Sequence, residues 1–171
     1  MKTTYTHGRW DIPKKEILKI YENFKENYSK NLSLAKEFLS VEVLVFSLEE
    51  IDQFGEFYAS FHSKPEKLGL TYDELLDVFI VYYGEAWMHY FGGYYVYTTD
   101  KKFDFYGYAC VIDYGPPQQD WVGIPPHNYA FIIEDGDKKP LSRIIKSDLE
   151  LYEKRGVKNY KRTEREFFGK I

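Results

Sequence analysis

Cysteine is nearly absent from this 171-residue chain, where Cys110 stands alone. That excludes an intramolecular disulfide and gives no sign of an oxidising compartment. No apolar run is long enough for a bilayer. The longest candidate, Val78 to Phe91, is interrupted by Gly84, Glu85 and His89 and falls short of the roughly 20 residues a spanning helix needs. Met1 to Trp10 holds no apolar stretch of the kind found in secretory leaders, so the expected location is the cytoplasm, with no membrane partner. Histidine is scarce, and His7, His62, His89 and His127 show no paired metal-ligand spacing. Gly92-Gly93 follows a helical pattern instead of opening one, so it is no phosphate-cradling loop. Repeats and low-complexity segments are also missing.

Basic residues are thin in the middle of the chain. The net charge of −4 hides a segregation, because residues 47–137 hold 16 acidic residues and only Lys64, Lys67, Lys101 and Lys102. Residues 138–171 hold eleven basic residues against five acidic ones. An acidic middle disfavours nucleic acid, whose binding rests on cations that neutralise phosphates. It favours a basic protein partner through electrostatic steering. The basic end lacks the long apolar face of a membrane-surface helix.

Aromatic residues are abundant, with 17 Tyr and 13 Phe. Tyrosine joins a large apolar ring to a hydroxyl that needs a partner, so this load predicts partly exposed sheet faces and a contact surface as well as a core. At this length one domain over residues 1–171 is expected. Its parts are helical over 1–91, sheet over 94–145, and a short helix with a basic tail over 147–171.

The clearest signal runs from Thr71 to Thr99. Thr71-x-x-Glu74 is a capping box, after which a nearly all-apolar helix continues to Phe91 and stops at Gly92, where a left-handed C-cap belongs. Tyr94 to Thr99 then reads as a strand. Upstream, Asp11, Pro13 and the spacing of Ile17, Ile20, Tyr21, Phe24 and Tyr28 predict an amphipathic helix. A short helix or turn is expected at Leu34 to Leu39, and Val41 to Phe46 reads as a strand or extended connector. Ser47-x-x-Glu50 predicts a helix from Leu48 to about Phe61. Downstream, Phe103 to Ile112 reads as the partner of the first strand. Tyr129 to Glu134 reads as a third strand ending at Asp135-Gly136, and Ser147-x-x-Glu150 as the opening of a last helix closed by Gly156. The class is therefore α+β: N-terminal helices and a buried central helix packed on a small, mainly antiparallel, Tyr-rich sheet.

The order S-L-x-x-I-D (Ser47 to Asp52), Y-G-E (Tyr83 to Glu85) and F-G-G-Y-Y (Phe91 to Tyr95) resembles that of small bacterial α+β proteins which look like immunity partners of secreted polymorphic toxins. The resemblance covers about residues 41–99. It implies a helix-into-sheet core and, for some such proteins, an immunity role. With the acidic middle and no catalytic constellation, the expected function is a non-catalytic binding protein that holds a basic toxin domain, without a cofactor.

Glu85 and His89 lie four apart on one helix face, a spacing that can bind a metal, but the rest of a zinc signature is missing. Glu85 is expected to be a structural carboxylate tied to a tyrosine hydroxyl, a basic group or backbone amides, since a buried free carboxylate is costly. The alternative is an enzyme or small-ligand protein with a pocket at Glu85, His89 and the sheet tyrosines. Gly84, unfavourable in mid-helix by roughly 1 kcal/mol relative to Ala, is expected to admit a crossing backbone. Cys110 reads as a small buried hydrophobe.

The expected partner-binding residues are Tyr114, Asp120, Trp121 and Asp135. The first three lie on a segment between Tyr114 and Tyr129 that is stiffened by Pro116-Pro117 and Pro125-Pro126. If that segment meets a basic partner, Asp120→Lys slows association and weakens its salt dependence, whereas Trp121→Ala mainly speeds dissociation. Stopped-flow mixing at two salt concentrations separates the two effects.

Overall fold

The computed structural model describes residues 9–112, 123–156 and 169–170. Its centre is α4 (Tyr72–Phe91), whose residues from Leu75 to Met88 are all buried. An apolar stripe on one side seats a surface helix. A helix apolar on every side needs neighbours on every side. Around α4 they are α2 (Tyr28–Leu39), α3 (Leu48–Phe61), α5 (Pro126–Glu134) and strand β2 (Cys110–Ile112). Helix α1 (Lys14–Glu26) precedes α2 across Asn27, and buries Ile17, Tyr21 and Phe24. Helix α6 (Arg143–Lys154) follows α5 and buries Ile145 and Tyr152.

The capping box at Thr71 is complete. Thr71 accepts from the Glu74 amide, and the Glu74 carboxylate accepts from the Thr71 amide at 2.8 Å. At α3 only half of the expected box forms. Ser47 accepts from the Glu50 amide at 3.1 Å, but the Glu50 carboxylate turns to the amides of Val45 and Phe46 instead. Those bonds hold the extended connector before α3 and steady Phe46, whose φ of 52° is unusual for a bulky residue.

The sheet is small, with strand order β2-β1-β3. Strand β1 (Tyr94–Tyr97) pairs antiparallel with β2, Tyr95 facing Val111, and parallel with the two-residue β3 (Gly169–Lys170), Val96 facing Gly169. Ile124 adds a bridge to Val111. The sheet follows a buried helix and packs on it, as the α+β reading requires.

Several predicted elements take another form. Tyr129 to Glu134 is helix, not strand, because Pro126 at the first helical position starts α5 and a short apolar run has no period to separate the two states. Asp135-Gly136 consequently closes a helix, with the Asp135 amide bonded to the Phe131 carbonyl at 2.9 Å. The partner strand shrinks to Cys110–Ile112, since residues 103–108 are taken by turns around Gly107, where φ is 87°. Helix α2 starts six residues earlier than predicted. Ser147 lies inside α6 and caps nothing. The helix starts behind Ser142, whose amide and hydroxyl both donate to Asp52, at 2.8 and 3.0 Å. Gly92 does end α4 with positive φ, yet its ψ of −154° is extended and not the left-handed helical cap.

Phe79 is fully buried between Phe54, Tyr58 and Tyr83. Phe79→Ala should therefore lower stability by about 3–5 kcal/mol. A urea midpoint unchanged by the substitution would contradict the central placement of α4.

Candidate functional site

Glu85 is 6 % exposed and accepts a hydrogen bond from the Tyr28 hydroxyl, so α2 closes over it. His89, one turn on, points outward and packs against Phe46 with ring centroids 5.6 Å apart. The two side chains share a helix face in sequence but not an environment. Gly84 admits a side chain, not a backbone. The Tyr95 ring from β1 lies where a Gly84 methyl would sit, and its hydroxyl donates to the Ile80 and Val81 carbonyls at 3.0 and 3.1 Å. Tyr28 and Tyr95 meet edge to face above this spot. Among the described residues the Tyr28 and Tyr95 rings occupy the space beside Gly84 and Glu85. Cys110 is fully buried in β2, and burial pushes its thiol well above the usual range. Among the described residues no group of three or more His, Cys, Asp or Glu is placed to hold a metal ion.

Of the expected partner-binding residues, Tyr114, Asp120 and Trp121 lie outside the described residues. Asp135 is exposed at the end of α5. Two residues on, Asp137 borders a shallow groove with Glu56 of α3, floored by Gly55, Ala59 and Leu141. Lys138 and Lys139 also border it, so the groove itself is of mixed sign. The acidic skew belongs to the wider surface. Over the described part of residues 47–137 the exposed carboxylates are those of Glu49, Glu56, Glu66, Asp73, Glu74, Asp100, Asp104 and Asp135, against exposed Lys67, Lys101 and Lys102.

The sequence reading missed a buried polar layer where the N-terminus, α4, β2 and α5 converge. Arg9 is 8 % exposed, donates to the Gly107 carbonyl at 2.8 Å, and lies 3.4 and 3.5 Å from Asp73 and Asp77. Its guanidinium sits 4.7 Å from the centroid of the Tyr108 ring, and that ring stacks on His127 at 3.9 Å. Burial pushes the Asp77 carboxyl up to about 6, against the pull of Arg9. His127 is 2 % exposed, and its Nδ1 has no hydrogen-bond partner. Burial first, and Arg9 second, lower its pKa to about 3. No local spacing signals this layer, since Arg9 meets residues 64 to 98 positions away.

Asp77 also reaches a second feature, a cleft of about 190 Å³ between the end of α1, α2 and the start of α4. Asn31, Lys30, Leu34, Leu70 and Glu74 line it with Asp77. At its mouth the Asn27 amide donates to the carbonyl and side-chain oxygens of Asn23, both at 2.9 Å. The Thr71 amide and hydroxyl, aided by Lys30, hold the Glu74 carboxyl below the usual range.

No protein-family model matches the chain, and no curated protein or solved structure matches it.

The His127 environment fixes a pH dependence. The folded state keeps His127 neutral down to about 3, whereas an unfolded imidazole takes a proton near 6.5. Its contribution is fully present above about 6.5 and is lost as pH falls toward 3, by on the order of 5 kcal/mol over the whole interval. Asp77 acts in the opposite sense, its contribution being present below about 4 and lost as pH rises through about 6. Comparing native protein with His127→Phe cancels the Asp77 part. Urea unfolding at a series of pH values should show a shallower acid-side loss in the variant, and parallel curves would refute the assignment.

Proposed function

We propose that this chain is a non-catalytic, cytoplasmic binding protein of the immunity type, which neutralises a basic toxin domain by occupying it with acidic and aromatic surface. The observation that carries this reading is the excess of exposed carboxylates over exposed lysines across residues 47–137, eight against three. Such a surface raises the encounter rate with a cationic partner and suppresses anionic ones, nucleic acid included. The Tyr28 and Tyr95 rings beside Glu85 favour this reading over a ligand pocket there. Trp10, 41 % exposed, adds an aromatic ring to the outside. Among the described residues no helix is long and apolar enough to cross a membrane.

Glu56 on α3 and Asp135 after α5 are the described residues best placed to be tested, as both are exposed and form no part of the core. The partner to use is the toxic domain encoded beside this chain. Native protein should bind it with an association rate that falls with salt. The double variant Glu56→Lys, Asp135→Lys should associate roughly tenfold more slowly at low salt with little change in dissociation. A neighbourhood without a toxin gene, or native protein that binds no such domain, would overturn the proposal. Unchanged kinetics in the double variant would move the interface off α3 and α5.

A further inference from the structure

The cleft between α1, α2 and α4 presents hydrogen-bonding groups that the fold leaves unused. Asn31 is 5 % exposed, yet its side-chain amide makes no hydrogen bond among the described residues. Its polar atoms are not sealed from water, so within this enclosed residue they open into the cleft, where they are free to pair. Asp77, also buried, uses only one carboxylate oxygen, in the 3.5 Å contact with Arg9. Both side chains line the same 190 Å³ space. An apolar cavity of about 150 Å³ accommodates benzene, so this one has room for roughly six non-hydrogen atoms.

The free groups share a character. The second Asp77 oxygen, the Asn31 side-chain oxygen and the second Glu74 oxygen are acceptors without a donor. Charge points the same way: the cleft lining holds Asp77 and Glu74 against Lys30, and behind Asp77 the Arg9 guanidinium is shared with Asp73, so among these described residues one negative charge is left over. Leu34 and Leu70 supply a short apolar wall. An ammonium group carries one positive charge and three donors, and a short alkyl chain suits such a wall.

We propose that this cleft is a binding site for a small organic ammonium ion, gripped by Asp77 and the Asn31 amide oxygen with its carbon chain against Leu34 and Leu70. The site shares Glu74 with the acidic surface described above but does not rest on the protein-partner reading, and its test uses no toxin. Lys30 and Glu74 form its rim, and Arg9 fixes the Asp77 carboxylate from behind.

The test is a titration of the full chain with n-propylammonium chloride, followed in ¹⁵N–¹H correlation spectra that include side-chain amides. 1-Propanol serves as the neutral isostere and potassium chloride as the ionic-strength control. The Asn31 side-chain resonances and the backbone around Leu34 should shift saturably, with a dissociation constant in the roughly millimolar range expected for so small a ligand. Neither control should saturate the site. Asn31→Leu, which keeps the volume and removes the amide, should weaken binding about tenfold or more. If that variant does not fold, the native titration decides alone, through where the shifts fall and whether 1-propanol reproduces them. Shifts that do not saturate, that map away from Asn31, that 1-propanol matches, or that survive unchanged in a folded Asn31→Leu would each overturn the proposal.

Discussion

Everything in this fold answers to one constraint, a twenty-residue helix with no polar face. The segment from Leu75 to Met88 must lose water on all sides at once, and each of its large side chains gains about 1.5–3 kcal/mol by doing so. No single neighbour can cover a cylinder, which is why helices from both ends of the sequence and the sheet all touch α4.

Wrapping such a helix brings polar atoms inward, and tyrosine is the means of satisfying them. Tyr58 and Tyr72 both donate to Glu134, at 2.5 and 3.0 Å, and so join α3, the start of α4 and the end of α5 through one carboxylate. Tyr82 of α4 donates to Glu50 of α3, and Tyr28 of α2 to Glu85 of α4. Tyr83, Tyr90 and Tyr106 reach backbone carbonyls at Leu141, Phe46 and Ile12. A ring placed in the core gains by burial anywhere, but its hydroxyl is satisfied only in one register. These bonds therefore decide which of many greasy packings is the native one.

The parts legible in the sequence were those with a local cause. Thr71 and Glu74 sit three apart because a helix start needs them there, and the bounds of α4 and α3 follow from such pairs. The expectation of some partner for Glu85, whether a tyrosine hydroxyl, a basic group or backbone amides, came from the cost of a lone buried carboxylate, a general argument that needs no coordinates. The parts not legible have distant causes. Residues 129–134 form a helix because a proline starts it, while their composition suits a strand equally well. Arg9 lies in a stretch without periodicity, and its value comes from Gly107, Asp73 and Asp77 arriving from far along the chain. The cleft at Asn31 is a space between three helices, and a space has no residue code.

The partition of charge between inside and outside ties core to surface. Of the acidic residues in the middle of the chain, Glu50, Asp77 and Glu85 are buried and Glu134 is partly so. Asp77 lies beside the Arg9 guanidinium, Glu50 accepts from the Val45 and Phe46 amides and the Tyr82 hydroxyl, and Glu85 and Glu134 accept from tyrosine hydroxyls. A hydroxyl donor satisfies a carboxylate's hydrogen bonding without cancelling its charge. Where hydroxyls and amides do the holding, hydrogen-bond geometry and not ion pairing sets the carboxylate's place. A tyrosine-stapled core and an acidic exterior thus draw on one residue type, carboxylates that phenolic and amide donors fix inside and that water solvates outside.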